Sequence, residues 1–213
     1  MESKMKKNLF FILSLVLLFG ILGFSKASAD RGQSEATNGI PNTAKAKEVM
    51  KTIERAYDIQ VEAAYTLDLS KFPTVFINDP RFPVNPGTLE TVRQLTYNPS
   101  LKSAGYLDYK MAYYSWKRDA ILHFEQLHAK AKAENRDLTE KEKKSLVDSY
   151  GRVAPSRAES PKRTNPIIFK SVEIDGDIAT VVLNEGVRTV RLTLVFVDKN
   201  WYIAASETLS VHP

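Results

Sequence analysis

Three closely spaced turn signals near the carboxy terminus constrain the fold of this chain more than any other feature. The dipeptides Asp175-Gly176 and Glu185-Gly186 are two-residue hairpin sequences, and residues 198–200 (DKN) mark a third turn. The segments between these turns are rich in β-branched and apolar residues. The pattern therefore predicts four antiparallel strands, at about 167–174, 177–184, 187–197 and 201–211.

The same turns predict how the strands pair. Counting outward from each turn places Val172, Ala179, Leu192 and Glu207 in one row on an apolar face. The opposite face is polar and rich in threonine. We expect helices to cover the apolar face. The polar face should be exposed to solvent or pair with a second copy in a homodimer. The residues predicted on the polar face are Ser171, Thr180, Thr189, Arg191, Thr193, Tyr202, Ser206 and Thr208.

The residues before the sheet predict helices. A periodic apolar stripe runs from residue 44 to about 69, where Thr43 can cap it, and a second runs from near Asp108. A short helix is predicted at 88–95, and Thr139 with Glu142 forms a capping box for another, which Gly151 ends. The prediction is one α+β domain, 44–213, with a helical half (44–151), a linker (152–166) and the sheet (167–212).

The amino terminus has the three parts of a secretory signal peptide in the right order. Lysines at positions 4, 6 and 7 precede an apolar run from Leu9 to Phe24, and Ala27-Ser28-Ala29 is a signal peptidase cleavage pattern. We expect a signal peptide at 1–29, cut after Ala29, and a flexible leader at 30–43. The predicted product is a secreted bacterial protein, extracellular or associated with the cell surface, that meets the membrane only through the signal segment before cleavage.

Composition removes several classes of function. Residues 30–213 hold 26 basic and 24 acidic residues, an excess of about +2 that does not support a nucleic-acid partner. The chain has no cysteine, hence no thiol nucleophile, and it has no phosphate-binding or dinucleotide glycine motif. Glu125 and His128 have the spacing of half a carboxylate-bridged metal site, but the second half is not recognisable. We expect neither a metal nor a cofactor.

Several segments together carry a resemblance to a known superfamily. A long helix that ends in the sequence YTLD (65–68) is followed by a proline-rich stretch with Val75-Phe76-Ile77, by more helix, and by a meander that closes on VDKNWYIA (197–204). Over residues 44 to 212, this order resembles the nuclear transport factor two-like superfamily. The resemblance implies a cone, in which a curved sheet wraps around helices and leaves a pocket at the open end. In many members it implies dimers that meet through their sheets. The superfamily contains enzymes and also many members without catalytic activity, so the resemblance does not choose between these functions.

An acid on the apolar face is the first candidate for catalysis. Glu207, predicted beside Leu192, would line the pocket that the resemblance implies, where burial would raise the pKa of its carboxyl. With a hydroxyl from Tyr57 or Tyr113 it could act as a general acid or base. The alternative is that Glu207 forms an ion pair with Lys170 or Arg188, which the predicted register places on the same face.

The candidate binding residues are basic or aromatic. Lys170 and Arg188 could contact a ligand from the sheet, and Tyr109 and Trp116 could do so from the second long helix. A carbohydrate platform would require these rings to be exposed. Aromatic residues at helical spacing are usually core residues instead.

Two classes of function stay open at this point, with a third beside them. The first is an exported, non-enzymatic domain that binds a protein partner or a small apolar ligand at the bacterial cell surface. The alternative is a cofactor-free acid–base enzyme of isomerase, cyclase or dehydratase type that uses Glu207 and a tyrosine. A wall-associated structural protein that works through its polar sheet face is the third hypothesis.

Overall fold

The computed structural model of the chain describes residues 40–90, 105–150 and 157–212. It has the predicted α+β class, with the helices first and a four-stranded antiparallel sheet after them. The signal peptide, nearly all of the leader, positions 91–95 of the predicted short helix and positions 152–156 of the linker lie outside the described residues. The elements are α1 (Ala44–Thr66), a 3-10 turn (Phe72–Thr74), α2 (Tyr106–Ala133), α3 (Glu140–Tyr150), β1 (Ile168–Asp175), β2 (Ile178–Asn184), β3 (Arg188–Val197) and β4 (Asn200–Val211).

Helix α1 supplies the helical side of the core. Its amino terminus is capped as predicted, since the Thr43 hydroxyl accepts a hydrogen bond from the backbone N–H of Ala46 at 3.2 Å. The helix ends at Leu67, which adopts a left-handed conformation with φ of 64°. Its apolar residues recur three and four positions apart, so one face is buried. This buried face consists of Ala46, Val49, Ile53, Ala56, Ile59 and Ala63.

A loop residue fixes the start of α2. The Asn78 side chain accepts a hydrogen bond at 3.1 Å from the backbone N–H of Asp108, in the first turn of the helix. A Cβ at Gly105 would lie 2.3 Å from the Asn78 side-chain oxygen, so only glycine leaves room for this contact. The helix therefore begins at Tyr106, two positions before the predicted start. None of the described helices is long and apolar enough to span a lipid bilayer.

The sheet has the order β1-β2-β3-β4, and its strands begin and end within one residue of the predicted positions. At the first two turns the pairing differs from the prediction by two residues, because Asp175 pairs with Ile178 and Asn184 pairs with Thr189. A shift of two keeps the side chains of β2, of β3 and of residues 171–175 in β1 on their predicted faces. An extra short pairing is added at the β4 edge, where residues 75–77 run parallel to β4 around Ile203.

The predicted register of β4 is wrong in its middle. The third turn lies one residue earlier than predicted, with Val197 opposite Asn200 instead of Asp198 opposite Trp201, and two β-bulges then insert Ala204 and Leu209 into β4. Each bulge moves the strand by one residue relative to β3. Ser206 therefore lies opposite Leu192, in the place predicted for Glu207.

These bulges correct the assignment of two charged residues. Glu207 lies opposite Arg191 on the outer face, and its carboxylate accepts a hydrogen bond from the Arg191 guanidinium at 2.7 Å. Lys170 is itself a bulge residue in β1 and approaches Thr189, whose pairing with Asn184 puts it on the outer face. Neither residue lies on the apolar face where the sequence predicted it.

The core lies between α1 and the inner face of the sheet. The residues of the inner face come from alternating positions, as expected for a sheet that is covered on one side. The outer face carries the predicted serine and threonine residues, except that Ser206 and Thr208 lie opposite the inward-facing Leu192 and Val190. The buried inner-face residues of the core are Val172, Ala179, Val181, Leu183, Val190, Leu192, Leu194, Trp201 and Ile203.

Candidate functional site

A pocket of about 330 Å³ lies between α1, α2 and the inner face of β3 and β4. Its apolar wall includes Phe76, Leu192 and Ile203, which belong to the same buried cluster as the core. Aromatic and polar side chains from the two helices form the opposite wall. The cavity is therefore continuous with the core on one side and carries a limited set of polar groups on the other.

Helix α2 presents a line of side chains to this pocket. Tyr106, Lys110, Tyr114 and Lys117 all line it, and they are spaced by four, four and three positions. Residues at this spacing lie on one face of a helix. The pocket-lining face is rotated by one position from the stripe of Tyr109, Tyr113 and Trp116 that the sequence suggested.

The ammonium group of Lys110 lies inside the pocket. It donates a hydrogen bond to the Gln60 side-chain oxygen at 2.9 Å, and it stands 5.5 Å from the ring centre of Phe76 and 5.3 Å from that of Tyr106. These distances fit cation–π contacts. Burial lowers the pKa of Lys110 to about 8. The ammonium is surrounded by aromatic rings and is poorly solvated.

Gln60 is held in one orientation. Its side-chain nitrogen donates to the carbonyl oxygen of Ala56 on the same helix at 3.2 Å, which leaves its side-chain oxygen facing α2. That oxygen accepts hydrogen bonds from Lys110 and also from the Tyr114 hydroxyl, at 3.1 Å. An amide oxygen has two lone pairs, so both of its acceptor positions are used.

A second group of polar side chains lies at the connection between β2 and β3. The Tyr57 hydroxyl donates to one carboxylate oxygen of Glu185 at 2.5 Å, and the Arg188 guanidinium donates to the other. Only 12% of the Glu185 side chain is exposed. Burial, and then the hydrogen bond to Glu185, raise the pKa of Tyr57. The carboxylate of Glu185 is thus held from both sides.

Tyr106 and Tyr114, which line the pocket, and Tyr109, which lies beside it, stay neutral at physiological pH. Burial raises the pKa of Tyr106, Tyr109 and Tyr114 above the ordinary value for a phenol. The Tyr106 hydroxyl also interacts with Ser206 from β4. Neutral phenols can donate hydrogen bonds to a ligand but do not act as bases at this pH.

The structure brings some of the predicted site residues together. Tyr57 and Arg188 line the pocket, and Tyr109 is half-buried against the core with its ring stacked on Tyr106 at 5.9 Å between centroids. The predicted catalytic and binding roles of these residues remain predictions. Their positions allow direct contact with a ligand for Tyr57 and Arg188.

The other predicted site residues lie elsewhere. Tyr113 and Trp116 are half-buried and pack against each other, with 6.0 Å between ring centres, but neither lines the pocket. Glu207 and Lys170 lie on the outer face of the sheet, as described above. The structure does not bring Glu207 and Tyr57 together, because the sheet lies between them.

Sequence reasoning missed Lys110, Gln60 and Glu185. The sequence did contain an indication for Lys110. Tyr106 and Tyr114 each lie four residues from it, so on a helix all three side chains share one face. Glu185 was assigned only to a turn, and nothing in a turn sequence shows that its side chain folds back toward a helix. No group of three or more acidic, histidine or cysteine side chains suited to a metal ion occurs within the described residues.

Comparison of the chain with protein-family models, with curated proteins and with solved structures gives no match. No relative therefore supplies a ligand or an activity. The inference of function rests on the pocket itself: its size, its aromatic walls and the charges inside it.

Proposed function

We propose that this chain is an exported, non-enzymatic binding domain that holds a small, flat and mainly apolar ligand in the pocket between α1, α2 and the sheet. One observation carries the proposal, namely a cavity of about 330 Å³ whose walls combine aromatic and aliphatic side chains with polar and charged ones. This volume is at the lower end of the range for small-molecule sites, and such sites are typically apolar with few oriented polar groups.

The walls suit a flat ligand. The rings of Phe76, Tyr106 and Tyr114 all border the cavity, and Leu192 and Ile203 close the sheet side. Aromatic rings prefer offset-stacked or edge-to-face contacts with another ring. A ring system would fill most of the space, while the Tyr106 hydroxyl and the second side-chain N–H of Gln60 contact its polar substituents.

The charges in the pocket favour binding over acid–base catalysis. Among the described residues that line the cavity, Glu185 alone carries a carboxylate. Arg188 and Tyr57 already occupy both of its oxygens. A general base must be free to accept a proton from the substrate. The enzyme alternative, which uses a pocket carboxylate, therefore has less support than binding.

The architecture and the export route belong to the same proposal. A cone of nuclear transport factor two-like type is supported by the order of helices and strands, by three β-bulges that bend β1 and β4, and by a pocket on the inner side of the sheet. Export is supported by the basic, apolar and small residues at positions 4–29. Mass spectrometry of the protein in bacterial culture medium should find Asp30 as the first residue. Retention of residues 1–29 on a membrane-bound protein would contradict cleavage.

Ligand binding in the pocket can be tested with a neutral flat probe, 2-naphthalenemethanol. In ¹H–¹⁵N correlation spectra of residues 30–213, we expect saturable shifts at Val61 and Leu192, which line the pocket, with submillimolar affinity. The substitution Ala64→Trp places a large ring in the cavity and should abolish these shifts.

The matched control is Ala129→Trp, an exposed position on α2, which should leave the shifts unchanged. Shifts that survive in Ala64→Trp would place the probe outside the pocket. The absence of any saturable shift at millimolar probe would contradict the proposed function.

A further inference from the structure

The ammonium of Lys110 has no acidic partner within ion-pair distance among the described residues. An ammonium group has three N–H donors, and the structure gives this one a single hydrogen bond, to the neutral oxygen of Gln60. Its other close neighbours are the faces of two aromatic rings. Two donors therefore remain for another acceptor.

The acid in the pocket does not neutralise Lys110. Glu185 is bound to Arg188 and to the Tyr57 hydroxyl, so its charge is matched by that of Arg188. Lys117 adds a further positive charge at the pocket wall. The cavity therefore has an excess of positive charge, even though its walls are mainly aromatic and aliphatic.

A charged group in such surroundings is costly unless an opposite charge accompanies it. Cation–π contacts offset part of the lost hydration, by about 0.5–2 kcal/mol in general. They do not neutralise the charge. An anion that enters the pocket would gain a charge-assisted hydrogen bond, and the low local dielectric would strengthen it. The pocket is therefore better suited to a ligand with a negative charge than to a neutral one.

We infer that the ligand of this pocket is a monocarboxylate with a flat, mainly apolar body, whose carboxylate accepts hydrogen bonds from the Nζ of Lys110. This inference rests on the proposed function, since it names the chemical class that the pocket takes. A ring body matches the walls formed by Phe76, Tyr106 and Tyr114, and the carboxylate matches one free ammonium group.

The arrangement favours a carboxylate over a phosphate ester. Phosphate sites in proteins use several donors at once, such as arginine forks or a row of backbone N–H groups at a helix amino terminus. Here Arg188 is occupied by Glu185, and the α1 residues that line the pocket lie in the second half of that helix, far from its first turn. Tyr106 in the first turn of α2 also lines the pocket, but the backbone N–H of Asp108 in that turn already donates to the Asn78 side chain. Lys117 is two helical turns from Lys110, about 10 Å along the axis. Among the described residues, Lys110 is the lysine that stands over the Phe76 and Tyr106 rings.

The test compares two probes with the same ring, 2-naphthoate and the neutral 2-naphthalenemethanol, by isothermal titration calorimetry at pH 7. We expect the carboxylate to bind at least about tenfold tighter to the unmodified protein. In Lys110→Met this preference should disappear while the alcohol still binds. The control Lys132→Met removes the same charge from an exposed position on α2 and should retain the preference.

Each outcome decides the inference. Equal affinities for the two probes, or a preference that survives in Lys110→Met, would overturn it while the proposed function stands. A preference that is lost in Lys117→Met but kept in Lys110→Met would also overturn it. Failure of both probes to bind would reject the proposed function and the inference together. Loss of the preference in Lys110→Met alone would support it.

Discussion

Two arginine–glutamate pairs lie on opposite faces of the same sheet, in different surroundings. On the inner face, the Glu185 side chain is 12% exposed, pairs with Arg188 and also accepts a hydrogen bond from Tyr57. On the outer face, the Glu207 side chain is 44% exposed and pairs with Arg191. The chemistry of the two pairs is the same, but water screens the outer pair and the protein largely replaces water around the inner acid.

This difference separates a structural role from a minor surface contact. Exposed ion pairs contribute about 0–1 kcal/mol to stability, whereas removing one partner of a buried pair leaves an uncompensated charge and costs several kcal/mol. Glu185 also links α1 to the sheet through Tyr57, across 128 positions of sequence. The inner pair should therefore hold the pocket in shape, and the outer pair should have little effect on it.

The largest effect that we expect comes from removing the inner acid. Glu185→Ala should lower the free energy of unfolding by about 2–3 kcal/mol, because it leaves the Tyr57 hydroxyl and Arg188 without their acceptor. Glu207→Ala should lower it by at most about 1 kcal/mol. Urea unfolding at pH 7 measures both. Equal losses in the two variants would break the comparison.

A second effect should have the opposite sign. Lys110 lies on the inner side and forms no ion pair with any described acid, so Lys110→Met should raise the free energy of unfolding by about 1–2 kcal/mol at pH 7, while Lys132→Met changes it little. Below pH 8 the folded and unfolded states are both protonated at this lysine, and the penalty is constant. Between about pH 8 and pH 10.5 the unfolded chain binds more protons, so the unmodified protein gains stability and the advantage of Lys110→Met shrinks.

Burial raises the pKa of each tyrosine beside Lys110, so these phenols are neutral near pH 8, where Lys110 begins to lose its proton. A constant advantage of Lys110→Met from pH 7 to pH 10 would contradict burial of the ammonium. The titratable groups that face it are Tyr57 from α1, Tyr106, Tyr109, Tyr114 and Lys117 from α2, and Glu185 and Arg188 from the β2–β3 connection.

A smaller effect tests the link between helix and sheet. Tyr57→Phe removes the hydroxyl that donates to Glu185 and should cost about 1 kcal/mol. Tyr202 lies on the outer face opposite Val195, and Tyr202→Phe should change the free energy of unfolding by less than about 0.5 kcal/mol. Thermal or urea unfolding distinguishes these values. A larger loss from Tyr202→Phe would show that the outer face is packed more closely than described.

The smallest effect concerns the outer pair itself. A double-mutant cycle of Arg191→Ala and Glu207→Ala should give a coupling of about 0.5 kcal/mol in low salt, falling toward zero in 1 M NaCl. The affinity for 2-naphthoate should be the same in all four proteins of the cycle. Loss of 2-naphthoate binding in Glu207→Ala would contradict the observed register, which places Glu207 on the outer face, away from the pocket.

Much of the fold follows from local sequence, and the reason is visible in the turns. Gly176 and Gly186 have positive φ values, and Asp198 and Lys199 adopt the left-handed conformation of a tight hairpin turn. These positions limit where strands begin and end. The Thr43 cap and the buried face of α1 likewise depend on residues that are close in sequence.

The position of Glu207 could not be predicted because bulges have no comparable signal. Ala204 and Leu209, the inserted residues of β4, are ordinary apolar residues without a glycine or proline beside them. A single inserted residue reverses which face the following side chains occupy. The candidate site could not be predicted for a related reason, since its contacts join residues that are far apart in sequence. Lys110 and Gln60 are 50 positions apart, and Glu185 and Tyr57 are 128 positions apart.

The most direct test of this account is the pKa of Lys110 in the unliganded protein. Titration of ¹³Cε-labelled lysines followed by NMR, with Lys110→Met to assign the signal, measures it. The account predicts a midpoint near pH 8, well below that of the exposed Lys132 signal, and an upward shift when 2-naphthoate is bound. A Lys110 midpoint near 10.5 that the carboxylate does not move would contradict a buried, unneutralised ammonium in the pocket.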